Sequence, residues 1–186
     1  MDLKRQWIFF AVLVSMVLID QLVKAWVRGA MPEHGSLSGL PWPGVFELKL
    51  TYNKGVAFGL FQGAGRFLAP IAVAIAAGAA WYSMRHPRES VMIHTAMGLL
   101  AAGAIGNLYD RLTDREGRVT DMFWFRPIDF PVFNVADACI TVATFMLILF
   151  WWKDAAKESR PVLAASPEGE ILLPGTEPPT GPPKEQ

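Results

Sequence analysis

The chain alternates long apolar runs with shorter polar stretches, and the run lengths predict membrane helices. Trp7 to Val27 is apolar apart from Ser15, Asp20, Gln21 and Lys24. Phe67 to Met84 is rich in Ala and Gly. Val91 to Tyr109 follows a short basic turn, Arg85-His86-Pro87-Arg88, and Val132 to Trp152 closes the set. Each run is about the 17–25 residues a helix needs to cross the hydrocarbon. Trp7, Trp26, Trp81, Trp151 and Trp152 fall near run ends, where interfacial aromatics gather. Val45 to Tyr52 instead alternates apolar and polar residues and reads as a strand, half buried or lying on the membrane surface. The pattern predicts an all-α integral membrane protein with four transmembrane helices, at about 7–27, 67–84, 91–109 and 132–152. Outer loops cover 28–66, with a small β-strand-containing loop domain, and 110–131, whose Met122-Phe123-Trp124-Phe125 suits the headgroup region.

Composition agrees. The chain is 52% hydrophobic with a mean hydropathy of +0.28, and charged residues are 18%, below the roughly 25% of soluble domains. A formal net charge of zero points to no nucleic-acid partner. The single cysteine, Cys139, excludes a disulfide framework and reads as a small core residue. A cleaved signal peptide is disfavoured for the first run, which is long, carries Asp20 and Lys24, and lacks a clear small-x-small cleavage site. Lys4, Arg5, Arg85, Arg88, Lys153, Lys157 and Arg160 flank the runs on one side, which places residues 1–6 and both termini in the cytoplasm. From Pro161 seven prolines fall among Glu, Ser, Thr and Gly, so 154–186 is expected to be a disordered cytoplasmic tail.

Against this background the acids stand out. An ionisable group in hydrocarbon is costly and marks a functional site by default. Asp20 lies ~20 Å past Trp7 along a helix, in the outer half of the bilayer. Asp110 ends the third run, Asp137 lies about one turn into the fourth, and Asp121 is in the loop between them. The assumed topology brings all four to one membrane face. Asp20 and Lys24, at i and i+4, are most simply a structural ion pair, and Asp110 with Arg111 a supporting pair. Asn107, Asp110 and Arg111 share a helix face, as do Asn134 and Asp137. Asn107 and Asn134 also suit interhelical hydrogen bonding. Gly98, Ala102 and Gly106 on one helix, and Ala72, Ala76 and Ala80 on another, offer small faces for close packing. His34, His86 and His94 are isolated and read as bland residues.

Two carboxylates at close range share a proton. Such a dyad can activate water with one member and protonate a carbonyl with the other, as in aspartic proteases. Any two of the four acids could form it. Asp121 with Asp137 is the best pair, because neither has a cation one helical turn away. Asn53-Lys54-Gly55-Val56-Ala57-Phe58-Gly59, after the strand, has the small residues that let an extended peptide approach its backbone.

Four ordered blocks carry a family resemblance: Asp20-Gln21-Leu22-Val23-Lys24; Asn53 to Gly59; Gly106-Asn107-Leu108-Tyr109-Asp110-Arg111 with Gly117, Val119 and Asp121; and Phe133-Asn134-Val135-Ala136-Asp137. Over about 130 residues the chain resembles the bacterial lipoprotein signal peptidases, signal peptidase II. The resemblance implies an aspartic endopeptidase of the bacterial inner membrane, without metal or cofactor and sensitive to globomycin. It would remove signal peptides from diacylglyceryl-modified prolipoproteins, cutting before the lipidated cysteine near the periplasmic face. Asp121 and Asp137 would be catalytic. Asp20, Lys24, Asn53, Gly55, Asn107, Asp110, Arg111 and Asn134 would position substrate or support the site. The partners implied are the prolipoproteins and membrane lipid, with a monomer expected. Leu112 to Glu116 is longer and more charged than the family pattern and adds Asp114 as a lesser dyad candidate. Met122 stands where a Phe is usual. A proton-coupled transporter and a non-catalytic membrane scaffold are the alternatives. A relay would spread acids across the membrane, and a scaffold would leave Asp121 freely replaceable.

Overall fold

The computed structural model describes residues 3–55 and 65–158. Contacts divide the chain into two units, Met1–Ile148 and Leu149–Gln186. All the packing described here lies in the first unit, and of the second only the last turns of a helix are described. In chain order the elements are α1 (Leu3–Ala30), β1 (Ser36–Trp42), β2 (Phe46–Asn53), α2 (Ala69–Arg85), α3 (Val91–Thr113), β3 (Val119–Phe125) and α4 (Val135–Glu158). Short 3-10 turns precede α2 and follow β3.

Local chemistry sets the boundaries. Pro70 sits in the first turn of α2, where a missing N–H costs nothing, and Pro87 follows its end. Ser90 caps α3, its hydroxyl accepting from the Ile93 N–H at 3.3 Å. Gly44, with φ at 74°, lets the chain turn between β1 and β2, and the Val45 N–H closes that turn on the Trp42 carbonyl.

α1, α3 and α4 are each long and apolar enough to cross a membrane. α2, at 17 residues, is shorter. α3 is the hub. It packs on both α1 and α2, and 61% of its most apolar window is buried, against 17% for α1 and 22% for α4. Small residues allow this crowding. A Cβ on Gly98 would lie 2.9 Å from the Phe9 carbonyl oxygen of α1. A Cβ on Gly106 would lie 2.6 Å from Asp20 Oδ2 and 3.2 Å from the Ala136 Cβ of α4. On α2 the buried residues are Ala72, Ala79 and Ser83, with Ala76 and Ala80 half-buried beside them. Ser83 Oγ meets His94 Nδ1 of α3 at 2.8 Å, which makes the isolated-looking His94 a buried interhelical partner.

The strands form one antiparallel sheet in the order β1-β2-β3. Leu48, Leu50 and Met122 pack with Val27 and Met31 at the end of α1. Met122-Phe123-Trp124-Phe125 of the second outer loop lies in a strand, with Met122 fully buried. In the first outer loop Ser36–Trp42 pairs with β2 as β1. α3 also continues four residues beyond Tyr109, which puts Asp110 and Arg111 inside the helix. The tail beyond Glu158 and the residues Val56 to Gly59 lie outside the described residues.

Two glycines separate crowding from propensity. Gly106→Ala should destabilise the fold by about 1–3 kcal/mol through overpacking. Gly78→Ala, with nothing within 4 Å of its Cβ, should stabilise α2 by about 0.5–1 kcal/mol. Unfolding of both variants in detergent, followed by circular dichroism, measures the opposite signs.

Candidate active site

The start of α4 organises the polar centre. Asn134 and Asp137 cap the helix reciprocally: the Asp137 N–H donates to Asn134 Oδ1 at 2.9 Å, and the Asn134 N–H donates to Asp137 Oδ2 at 3.1 Å. This is a capping box built from an amide and a carboxylate. Another orphan donor of the same turn, the Ala136 N–H, is taken by Asp20 Oδ1 of α1 at 2.9 Å. The segment before the cap is pinned to β3, since the Met122 and Phe123 N–H groups both donate to the Phe133 carbonyl. That bridge carries Asn134 to the residue it serves: Asn134 Nδ2 donates to Asp121 Oδ1 at 2.6 Å.

Two amides thus link two carboxylates. Asn134 Nδ2 also lies 3.1 Å from Asn107 Oδ1, and Asn107 Nδ2 donates to Asp137 Oδ1 at 2.8 Å. Asn53, at the end of β2, adds a side-chain hydrogen bond to Asp121. Amides suit this task because they donate to carboxylates without bringing a charge.

Below this bridge sits Lys24, fully buried. Its ammonium meets Asp20 Oδ2 at 2.9 Å, Asp110 Oδ2 at 3.1 Å and Asn107 Oδ1 at 3.2 Å. Three N–H donors face three oxygens, so the charge is paired and satisfied. Gln21 Nε2 donates to Asp20 Oδ2 and to the Gly106 carbonyl. Asp110 pairs with Lys24, and with Arg28 at 3.7 Å, rather than with Arg111. Successive helix residues point about 100° apart, so an i, i+1 pair cannot meet head-on. Arg111 instead donates through Nη2 to the Gly55 carbonyl at 3.0 Å, and its buried Nε has no partner among the described residues. Asp114 is removed from the site: it caps the end of α3 and pairs with Arg118 at 3.1 Å. The spacing could have disclosed Arg28, because Asp20, Lys24 and Arg28 recur every fourth residue. Nothing in the spacing disclosed Thr120, whose backbone N–H donates to Asp110 Oδ2 at 2.9 Å.

Asp121 is 2% exposed and carries the charge behaviour expected of such a pocket. Burial, followed by the nearby Asp137 carboxylate, pushes its pKa up to about 8, against hydrogen bonds from Asn134 and Asn53 that act the other way. Among the described residues no three His, Cys, Asp or Glu converge as a metal site.

Comparison with known proteins assigns the family. The family model for signal peptidase (SPase) II matches residues 12–153. The chain belongs to the signal peptidase II family. The lipoprotein signal peptidase of Gloeobacter violaceus is 35% identical over 166 residues, covering 89% of this chain and 93% of that protein. That of Symbiobacterium thermophilum is 36% identical over 138 residues, covering 73% and 88%. A solved bacterial membrane enzyme superposes with a TM-score of 0.74 at 26% identity, covering 83% of this chain and 93% of its own. As a signal peptidase II, the chain is a multi-pass bacterial membrane peptidase.

Two stability tests follow from the buried charges. Lys24→Met should destabilise the peptidase by about 3–5 kcal/mol, because two buried carboxylates lose their shared cation; chemical unfolding of the purified protein measures it. Folded Asp121 keeps its proton to about pH 8, whereas an ordinary Asp releases it near 3.8. The native state therefore binds more protons across that window, and stability falls as pH rises through it. Wild-type Tm should drop more steeply than that of Asp121→Asn between pH 5 and pH 8.5, as read in paired thermal melts.

Proposed function

We propose that the chain is an intramembrane aspartic endopeptidase that removes signal peptides from diacylglyceryl-modified prolipoproteins, cutting before the lipidated cysteine. The observation that carries this reading is the joining of Asp121 and Asp137, from a strand and a helix end, through the Asn134 and Asn107 amides. With Asp121 protonated below about pH 8, the pair holds a proton that can be given up during the reaction. Asp137 takes a proton from water as the water oxygen attacks the scissile carbonyl. Asp121 gives its proton to the carbonyl oxygen, forming a neutral tetrahedral diol. The carbonyl then re-forms as a diol hydroxyl returns its proton to Asp121 and the C–N bond breaks, Asp137 gives its proton to the leaving amine, and the dyad again holds one proton.

Substrate positioning follows from the same geometry. The unpartnered Arg111 Nε is a buried donor beside the dyad, suited to a substrate carbonyl or a lipid ester oxygen. The Arg111 hold on the Gly55 carbonyl fixes the segment leaving β2, beside which an extended peptide would lie. α2 crosses the bilayer with the other three helices, its ~26 Å length being close to the hydrocarbon thickness. Arg5, which donates to the Arg88 and Glu89 carbonyls, marks the cytoplasmic end. The dyad then lies at the periplasmic side, where a lipid-anchored substrate presents its cleavage point. The peptidase acts as a monomer and is sensitive to globomycin.

The test uses purified enzyme and a diacylglyceryl-modified prolipoprotein in detergent, followed by gel shift. Wild type should cleave, and Asp121→Asn and Asp137→Asn should each lower the rate by about 10³-fold or more while still folding. No cleavage by folded wild type would sink the peptidase reading. Unchanged cleavage by either Asn variant would remove that residue from the mechanism.

A further inference from the structure

β3 carries Asp121, yet its ladder is weakest beside that residue. Leu48 pairs with Phe123, but the next partner of the ladder is Thr51 with Asp121, so β2 holds one extra residue there. Such a bulge loosens and bends the local pairing. β3 is also an edge of the sheet, and its other edge is bridged only at Phe123 with Phe133 among the described residues. Beyond the bulge Asp121, Thr120 and Val119 pair with Thr51, Tyr52 and Asn53, but on that one side only, so at their outer edge something other than strand pairing must hold them.

The opposite side of the strand supplies it. Strand alternation points Thr120 away from the dyad. Arg28 Nη1, from the end of α1, donates to Thr120 Oγ1 at 2.9 Å. The Thr120 N–H donates to Asp110 Oδ2 at 2.9 Å, and Arg28 lies 3.7 Å from Asp110 Oδ1. Arg28 thus grips both the strand and the carboxylate that holds the strand. It also balances the cluster, because Asp20 and Asp110 would otherwise share the single charge of Lys24. These contacts border a cavity of about 210 Å³ lined by Arg28, Asp110 and Thr120 together with Tyr52, Thr113, Asp114 and Arg118. The cavity is large enough to admit a small cation where a shortened Arg28 side chain had been.

We infer that Arg28 and Thr120 are positioning residues for the reaction: a strut from α1 that fixes the backbone of β3 one residue before Asp121 and so sets the Asp121 carboxylate against Asp137. This rests on the proposed peptidase reading. A strut of this kind acts on the dyad geometry and leaves substrate binding alone, so it should show in kcat and spare KM. Thr120→Val keeps the shape and removes the acceptor, whereas Thr120→Ser keeps the hydroxyl.

The experiment measures cleavage of the modified prolipoprotein beside amide exchange of the intact enzyme in detergent. Thr120→Val and Arg28→Ala should each lower kcat by about tenfold or more with KM unchanged, Thr120→Ser should restore it, and the double variant should be no worse than the poorer single. Guanidinium at sub-denaturing concentration should recover part of the kcat of Arg28→Ala and none of that of Thr120→Val, with sodium chloride as the ionic-strength control. Exchange at residues 119–122 should rise by roughly tenfold in both variants. Wild-type kcat in Thr120→Val, or losses that multiply in the double variant, would overturn the strut. So would unchanged exchange at 119–122, which needs no substrate and decides the matter even if wild type cleaves nothing. Inactive wild type and Asp121→Asn alike would instead count against the peptidase reading.

Discussion

A single buried ammonium holds the polar centre together. Lys24 has no water to solvate it, so its position requires three oxygens at hydrogen-bond distance. Those oxygens belong to Asp20 on the same helix and to Asn107 and Asp110 on α3. Each is committed elsewhere as well: Asp20 to the first turn of α4, Asn107 to Asp137, Asp110 to the strand before Asp121. The lysine therefore connects three helices and the sheet through residues that each hold a second element as well. The glycine at 106 matters for the same reason, since it lets Asp20 reach across α3 to the helix beyond.

Much of the site was legible because helical spacing is rigid. Asp20 with Lys24, and Asn134 with Asp137, could be read from intervals of four and three. The Asp110 with Arg111 pairing failed on the same geometry, as adjacent residues diverge around the helix, and each finds its partner on another element. The sheet was harder to read. β2 alternates and declares itself, but Ser36 to Trp42 has no such period and becomes a strand only by pairing with β2. Val119 to Phe125 is buried on both faces over its first four residues, so alternation is erased where it would have been diagnostic.

Asp121 and Asp137 are neighbours in contrasting settings. Asp137 sits in the first turn of α4, held by the Asn134 N–H and the Asn107 amide. Asp121 sits on a buried strand with amide donors and no cation in direct contact, where charge is disfavoured.

The reciprocal cap at Asn134 and Asp137 ties the polar centre to the folding of α4. The hydrogen bonds that nucleate α4 are the same ones that orient one carboxylate and deliver the amide that holds the other. The start of the helix and the joining of the two carboxylates thus share the same contacts. A chain whose last helix has not yet wound its first turn carries both acids without the amides that join them.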